Sequence, residues 1–244
     1  MAQYSLTILH LFPDLLNLYG DKGNIASLKK RLIWRGLDAK VNLHTNRETP
    51  PDFENTDILF LGGGSDKEQA LVLDILSNYR DSLLDYVEKG GVLLAFCGGF
   101  PMLGTTIETP DGTINGLGIL DIHTTLTKKR MIGDVILSSS LCQSPICGFE
   151  NHPGATWIGD YKPLGTVLTG NGNDGTQTHE GLLYKNVFAS YLHGPLFPKN
   201  PELCDVILAR ALKHKYPDFS ELSPLDNSLE ESANHYIVQN FMPK

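Results

Sequence analysis

The sequence is short of several features that would place it in a familiar class of proteins. Its four cysteines are too few for a disulfide framework in a chain of 244 residues. No apolar run approaches the roughly 20 residues that a membrane-spanning helix needs, and the first residues lack a basic segment followed by an apolar core. Acidic residues outnumber basic ones, 28 against 20, and no block of lysine and arginine offsets the net charge of −8. We therefore expect a cytoplasmic protein with reduced thiols, no membrane insertion and no nucleic-acid partner.

A nucleotide site of the Walker type is also missing. That motif requires Gly-Lys-Ser/Thr after a glycine-rich stretch. Here Lys67 follows the glycines of residues 62–64 without that pattern, and no other match occurs in the chain. We expect no ATP site of this kind on the chain, and we assign it no metal or other cofactor.

What the chain does contain is an alternation of strand and helix patterns. Short apolar runs indicate strands, and glycine turns and helical spacing separate them. Asn24 is expected to cap the first helix, and a long helical pattern is interrupted near Asn78. Runs that are apolar throughout are typical of strands covered on both faces, so the sheet is predicted to be parallel and the fold α/β. The predicted strands are residues 5–11, 39–43, 57–61 and 92–96.

The chain changes character after Leu103. Short apolar stretches alternate with glycine, asparagine and proline turns, which indicates antiparallel or mixed strands at residues 133–137, 165–169 and 181–184. Helical spacing returns at residues 201–216 and 228–241. We predict a mostly parallel central sheet flanked by helices, with an additional antiparallel portion. The domain is assigned to residues 1–200, with a C-terminal helical extension, residues 201–244, packed on it.

Cys97 is the first candidate catalytic residue. It follows an apolar strand, and Gly98 and Gly99 after it allow a sharp turn into a helix. At a helix N-terminus, the dipole and free backbone N–H groups lower the pKa of a thiol. Strand, Cys, Gly, Gly and helix also have the form of a nucleophile elbow. The alternative is a small buried apolar residue, which is the role we assign to the other three cysteines.

A thiol nucleophile needs a base and an oxyanion site. His193 ends an apolar strand before Gly-Pro, so it can face Cys97; His152 is its nearest rival among the eight histidines. The backbone N–H of Gly98 can supply one oxyanion donor. The glycine turn at residues 62–64, with Gly63 and Gly64, can supply the other, although such a turn can also be only a tight strand-to-helix connection.

Together these features resemble the class I, or triad-type, glutamine amidotransferases. The resemblance is strongest to their cobyric-acid-synthase-like branch, and within it to glutaminase subunits that serve lipid II amidation in Gram-positive cell-wall synthesis. It extends over most of the chain up to about Lys199. The matching stretches are LYGDKGN (18–24), GGGSDKEQ (62–69), FCGGF (96–100), GLGIL (116–120), RMIGD (130–134), GFENH (148–152), YKN (184–186) and YLHGP (191–195).

The resemblance implies the class I amidotransferase fold and a reaction in which Cys97 attacks the side-chain amide of glutamine. A glutamyl thioester would form and release ammonia, and water would then hydrolyse it with help from His193. Arg130 matches the position that holds the glutamine substrate. A guanidinium can grip an α-carboxylate in a bidentate way. Judged from the sequence alone, Arg130 is a solvated charge in a run of three basic residues.

The resemblance also implies a partner. A Mur-ligase-like subunit, MurT, would carry ATP and Mg²⁺ and use the ammonia to amidate the stem peptide of lipid II at the inner face of the membrane. Two alternatives stay open. One is a glutaminase that serves another synthetase, in the cobyrinate or pyridoxal phosphate pathway. The other is a non-catalytic binding protein with the same fold.

The sequence departs from the class pattern at two positions. Pro195 stands where the class has the acid of His-x-Glu, and the branch named above lacks that acid as well. We therefore expect the carboxylate that orients His193 to lie elsewhere, with a partner chain as one source. Pro101 stands where Gln is expected after Cys-Gly-Gly-Phe. Proline is acceptable in a first helical turn, so the elbow is expected to survive.

Overall fold

The computed structural model describes residues 4–18 and 20–242, so Tyr19 of the stretch at residues 18–24 lies outside it. Two six-stranded sheets and six α-helices make up the described part of the chain. Within that part, no helix has both the length and the apolar character needed to cross a bilayer. In chain order the elements are β1 (Ser5–Leu11), α1 (Lys22–Ile33), β2 (Asp38–His44), β3 (Ile58–Leu61), α2 (Asp66–Ser77), α3 (Arg80–Glu88), β4 (Val92–Phe96), α4 (Gly99–Met102), β5 (Thr106–Thr109), β6 (Gly112–Asn115), β7 (His123–Ser138), β8 (Ile146–Trp157), β9 (Gly165–Thr169), β10 (His179–Glu180), β11 (Leu182–Tyr184), β12 (Val187–Ser190), α5 (Pro201–Lys215) and α6 (Ser228–Phe241).

The first sheet carries the candidate site at one edge of its strands. Its order is β11-β12-β4-β3-β1-β2, and all neighbours run parallel except β11 and β12. This confirms the predicted α/β class with a mostly parallel central sheet. The register aligns Leu61 with Ala95 and Phe96 with Ser190. The carboxyl ends of β3, β4 and β12 therefore lie side by side.

Alternate residues of these strands pack into two hydrophobic clusters on opposite faces of the sheet. Leu93 of β4 joins the cluster that includes residues of α2 and α3, whereas Leu94 joins the cluster that includes residues of α1 and α5. This follows from the two-residue period of a strand. Burying one leucine in this way contributes roughly 2 kcal/mol. Because both faces are packed, the strand ends are held rigidly.

The second sheet contains the antiparallel strands predicted at residues 133–137 and 165–169, whereas the stretch predicted at residues 181–184 is β11, an antiparallel edge strand of the first sheet. Its order is β10-β9-β7-β5-β6, and β8 pairs with β7; only the β5–β7 pair is parallel. The long β7–β8 ladder shifts register between Leu126 and Met131. The short segment between them therefore leaves the regular ladder, and it contains Arg130.

Both C-terminal helices pack on the rest of the chain. α5 buries Leu203, Ile207 and Leu208 in the same cluster as Leu94. From α6, the buried Asn234 amide donates hydrogen bonds to the carbonyl oxygens of Pro145 and Lys199, at 2.9 and 3.0 Å. The division of the chain at residue 200 stays a prediction.

Two details of the helices bear on the predictions. The interruption expected near Asn78 is confirmed, since it separates α2 from α3. The predicted cap of α1 is wrong, because the helix begins at Lys22 and Asn24 lies inside its first turn. The Asn24 side chain instead accepts a hydrogen bond from the backbone N–H of Phe197 at 3.0 Å. A polar residue that looked like a local cap makes a tertiary contact.

Candidate active site

Cys97 stands directly after β4, in a strained backbone conformation. Its φ is 51°, in the left-handed region that non-glycine residues rarely occupy. Its N–H donates to the carbonyl oxygen of Ser190 at 2.8 Å, which ties it to the end of β12. The one-turn helix α4 follows. The predicted elbow is present, and the sharp turn occurs at the cysteine itself.

Of the two glycines after Cys97, Gly99 packs against backbone and Gly98 packs against the end of a flexible side chain. Gly98 has an ordinary helical φ of −61°, so its backbone angle does not call for glycine. A Cβ at Gly98 would overlap the carboxamide of Gln69, with Nε2 at 2.6 Å, and a Cβ at Gly99 would lie 2.5 Å from the carbonyl oxygen of Leu61. These glycines let the elbow approach β3 and α2 closely.

The glycine turn after β3 borders the thiol, as the sequence predicted. A Cβ on Gly63 would lie 3.0 Å from Cys97 Sγ and 3.1 Å from the backbone nitrogen of Gly98. The Gly63 N–H, however, donates to the carboxylate of Asp21 at 3.2 Å. Gly64 lines the cavity beside Cys97. The two predicted donors of the turn therefore differ in availability, because the Gly63 N–H already donates to the side chain of Asp21.

Asp21 belongs to a stretch that carried the family resemblance, but the sequence alone assigned it no role. Its side chain is buried against the turn, and a Cβ on Gly62 would lie 2.5 Å from its Oδ2. Burial raises the pKa of Asp21 to about 6, while the hydrogen bond from Gly63 acts in the opposite direction. The group therefore titrates near neutral pH.

The thiol of Cys97 is held in its protonated form. Burial raises its pKa to about 12, and the charge of Asp21 acts in the same direction. The Gly98 N–H and the charge of Arg130 lower it, but by less. The lowered pKa expected from a helix N-terminus is therefore wrong, because burial outweighs the backbone N–H group. The helix that follows has one turn and the thiol is almost fully buried, so activation requires a base.

A cavity of about 690 Å³ opens over Cys97. Arg130 reaches it from the irregular segment of β7. Its Nε donates to Asn151 Oδ1 at 2.9 Å and its Nη2 to the Asn151 carbonyl oxygen at 3.0 Å. Nη1 has no hydrogen-bond partner among the residues that the structure describes. The residues lining the cavity include Gly64, Gln69, Cys97, Gly98, Arg130, Asn151, His152 and Tyr191.

His193 lies just beyond the end of β12, which pairs with β4, the strand that precedes Cys97. Its backbone pairs with Phe149 of β8, with its N–H donating to the Phe149 carbonyl oxygen at 3.0 Å. Burial and the charges of His152 and Lys199 lower the pKa of His193 to about 4, and the charge of Glu150 opposes them. A neutral imidazole suits a general base. Of the two candidate bases, His152 lines the cavity and His193 is not among its described lining residues.

His152, the other candidate base, lies in a polar cluster that could not be predicted from the sequence. His152 Nδ1 lies 2.8 Å from the Gly154 carbonyl oxygen, and its ring stacks on Tyr191 with 3.6 Å between centroids. Its Nε2 is 3.7 Å from Oε2 of the fully buried Glu150. Burial raises the pKa of Glu150, but the neighbouring His152 and the hydrogen bonds from Asn171 outweigh this and hold it below its ordinary value. An ionised carboxylate therefore lies close to both histidines.

A buried cysteine on a strand-to-helix elbow, a glycine turn that borders it and an arginine thus line one cavity. Residues 7–201 match the model of the CobB/CobQ-like glutamine amidotransferase domain, and the chain belongs to that family. It is accordingly a glutamine amidotransferase, as predicted. The family covers every candidate site residue named from the sequence.

Similar proteins extend the comparison to nearly the whole chain. The chain is 42% identical over 237 residues to the "Lipid II isoglutaminyl synthase (glutamine-hydrolyzing) subunit GatD" of Staphylococcus aureus (strain N315), covering 96% of each protein. It is 40% identical to the subunit of the same name from Streptococcus pneumoniae (strain ATCC BAA-255 / R6), covering 96% of this chain and 91% of that protein. A solved structure described as a glutamine amidotransferase is 19% identical, with a TM-score of 0.55 over 83% of this chain and 98% of that one. That likeness shows the fold.

Proposed function

We propose that the chain is the glutaminase subunit of a lipid II isoglutaminyl synthase. The observation that carries this proposal is the similarity to two GatD subunits along nearly the full length of both chains. The site supports it chemically, since a thiol, a guanidinium and backbone N–H groups converge on one cavity.

In the proposed reaction, Cys97 Sγ attacks the side-chain carbonyl carbon of glutamine. The negative oxygen of the tetrahedral intermediate is stabilised by the N–H of Gly98 and by the turn at residues 62–64. His193 takes the thiol proton and gives it to the departing nitrogen, so ammonia leaves and a glutamyl thioester remains. Water, deprotonated by His193, then releases glutamate and restores the thiol. Arg130 holds the α-carboxylate through Nη1, while Asn151 fixes the guanidinium plane.

The ammonia is consumed at an active site that lies on a partner subunit. Forming an amide from a carboxylate needs activation by ATP, and the sequence has no Walker motif. We assign ATP and Mg²⁺ to a Mur-ligase-like partner, MurT, which would activate the α-carboxyl of the D-isoglutamyl residue in the lipid II stem peptide. The heterodimer would act in the cytoplasm, at the inner face of the membrane.

The partner is also one possible source of the carboxylate that orients His193. Within the described chain, Glu150 is a second source, because its charge raises the pKa of His193. Its oxygens, however, already accept hydrogen bonds from Asn171 and the Gly172 N–H. Rates measured with and without the partner distinguish these two sources.

The test is ammonia release from glutamine by the purified chain, alone and with a Mur-ligase-like protein. Cys97→Ala is expected to reduce the rate by several orders of magnitude, to background, because no other group replaces the thiol. Cys142→Ala removes a half-buried thiol that is distant from Cys97 in the sequence. It is the matched control and should keep the parental rate. Activity retained in Cys97→Ala would refute the nucleophile. Equal rates with and without the partner would count against a partner-supplied acid.

A further inference from the structure

Gln69 stands between the two turns that border the thiol. It lies in the first turn of α2, and its N–H donates to the Ser65 carbonyl oxygen at 2.8 Å. A reciprocal capping box between Ser65 and Glu68 fixes the start of this helix. The side chain of Gln69 therefore leaves a rigid element and points into the cavity over Cys97.

The carboxamide of Gln69 touches both turns. Its Nε2 donates to the carbonyl oxygen of Gly64 at 2.6 Å, and the same group lies so close to Gly98 that it would have to move to admit a Cβ there. Its Oε1 has no hydrogen-bond donor among the residues that the structure describes. One side chain thus bonds the turn after β3 and packs on the elbow after β4.

This bridge matters because an oxyanion site needs its donors at a fixed separation. The Gly98 N–H belongs to one turn and the Gly64 N–H to the other. Asp21 holds the glycine turn from the opposite side, through the Gly63 N–H. The Gly63–Gly64 peptide, which carries the Gly64 N–H, is held by the Leu18 N–H, which donates to the Gly63 carbonyl oxygen at 3.1 Å. The bond from Gln69 holds the next peptide through the Gly64 carbonyl oxygen.

We propose that Gln69 is a positioning residue for glutamine hydrolysis, which sets the separation of the two oxyanion donors by bonding Gly64 and covering Gly98. The inference rests on the proposed reaction at Cys97. It assigns Gln69 an effect on the rate of the chemical step, with little effect on substrate binding.

The test uses Gln69→Met in the complex with the ligase partner. Methionine is equally long and still covers Gly98, but it cannot donate to Gly64. We expect kcat to fall about 10- to 100-fold, somewhat less than loss of a donor itself, with KM changed less than about threefold. Gln239→Met on α6 is the matched control and should leave both constants unchanged.

Thiol chemistry separates positioning from a structural defect. Iodoacetamide alkylates Cys97 without forming an oxyanion, so its rate should be the same in Gln69→Met and the parent. A chloroketone analogue of glutamine places its carbonyl oxygen at the oxyanion donors while Sγ displaces chloride and forms a thioether, so its inactivation rate should fall with kcat. If Gln69→Met fails to fold, judged by its melting transition, Gln69→Glu repeats the test with an isosteric side chain that also lacks the donor.

The outcomes distinguish the inference from the reaction on which it rests. A parent complex that releases no ammonia, or one unaffected by Cys97→Ala, overturns the proposed function. An active parent with a parental kcat in the Gln69 variant overturns the positioning role alone. Equal losses with iodoacetamide and the chloroketone would also overturn it, since the thiol itself would then be impaired.

Discussion

The conformation of Cys97 stores free energy at the site of chemistry. A non-glycine residue with φ of 51° costs of the order of 1–3 kcal/mol relative to ordinary backbone. The hydrogen bond from its N–H to Ser190 and the packing of Gly63 and Gly98 around it hold that conformation in place. The thiol is thereby presented at the cavity while its backbone stays buried.

Arg130 provides a prediction at the scale of the residue. Arg130→Gln should raise KM for glutamine about 10- to 100-fold and change kcat much less. The reason is that an α-carboxylate is bound equally in the ground and transition states. Steady-state kinetics of ammonia release measure both constants.

Lys128→Gln is the matched control for Arg130, since it removes a neighbouring exposed charge of the same basic run. It should leave KM within about twofold of the parent. A KM for Arg130→Gln equal to that of the parent would refute the assigned role and favour a solvated charge.

At the scale of elements, α1 and α5 are joined by a cluster of three charges. Asp205 accepts two hydrogen bonds from Arg31 at 2.6 Å and two from Arg35 at 2.6 and 3.1 Å. The arginine side chains are 4% and 2% exposed and that of Asp205 is 22% exposed, so the ions are largely removed from water. Removing a single member therefore leaves buried charge without its counter-ion.

Asp205→Asn should lower the free energy of unfolding by about 3 kcal/mol, because two buried guanidinium groups lose their counter-ion. Urea denaturation with a constant m-value would measure it. Asp85→Asn breaks an exposed pair with Lys89 and should give no measurable change. A small effect at Asp205 would show that water reaches the cluster.

The elements themselves could largely be predicted from the sequence, because each depends on a local pattern. The break at Asn78 and the strand that ends before Cys97 are examples. Contacts that join distant elements could not be predicted in this way. The packing of Gln69 on Gly98 and the bond from Gly63 to Asp21 depend on how the strands are ordered in the sheet, and Asn24 was taken for a cap for the same reason. Composition likewise gave no sign that burial would raise the pKa of Cys97.

At the scale of the whole molecule, stability depends on pH through buried histidines. His10 of β1 is buried, packs edge-on against Phe60, and has its pKa lowered to about 4 by burial and the charge of Lys22. The unfolded chain takes up this proton near pH 6.5 and the native chain only near pH 4. The unfolded state therefore binds more protons in this window, and stability falls as pH drops through it.

His10→Phe should remove this part of the acid sensitivity. Between about pH 6.5 and pH 4, the loss of unfolding free energy should be smaller than in the parent by about 3 kcal/mol. Asp21 and His193 titrate in both the parent and the variant. The difference between the two proteins in the pH dependence of the unfolding free energy therefore reports on His10 alone. Urea titrations at several pH values provide the measurement. His235→Phe, at an exposed site, should leave the parental pH dependence unchanged, and an unchanged dependence in His10→Phe would refute the prediction.

The hydrogen bond from Cys97 to Ser190 joins two residues that are synthesised at different times. The ribosome releases β3, β4 and the elbow long before β12, which pairs with β4 as part of the β11–β12 hairpin. Until β12 emerges, β4 is an unpaired sheet edge, and such edges invite pairing with other chains. At that stage the residues that will later cover the thiol have not yet been synthesised, so the thiol is exposed. A nascent chain stalled after α4 should therefore be alkylated at Cys97 much faster than the finished protein, and the nucleophile becomes protected only when the last strand of the sheet arrives.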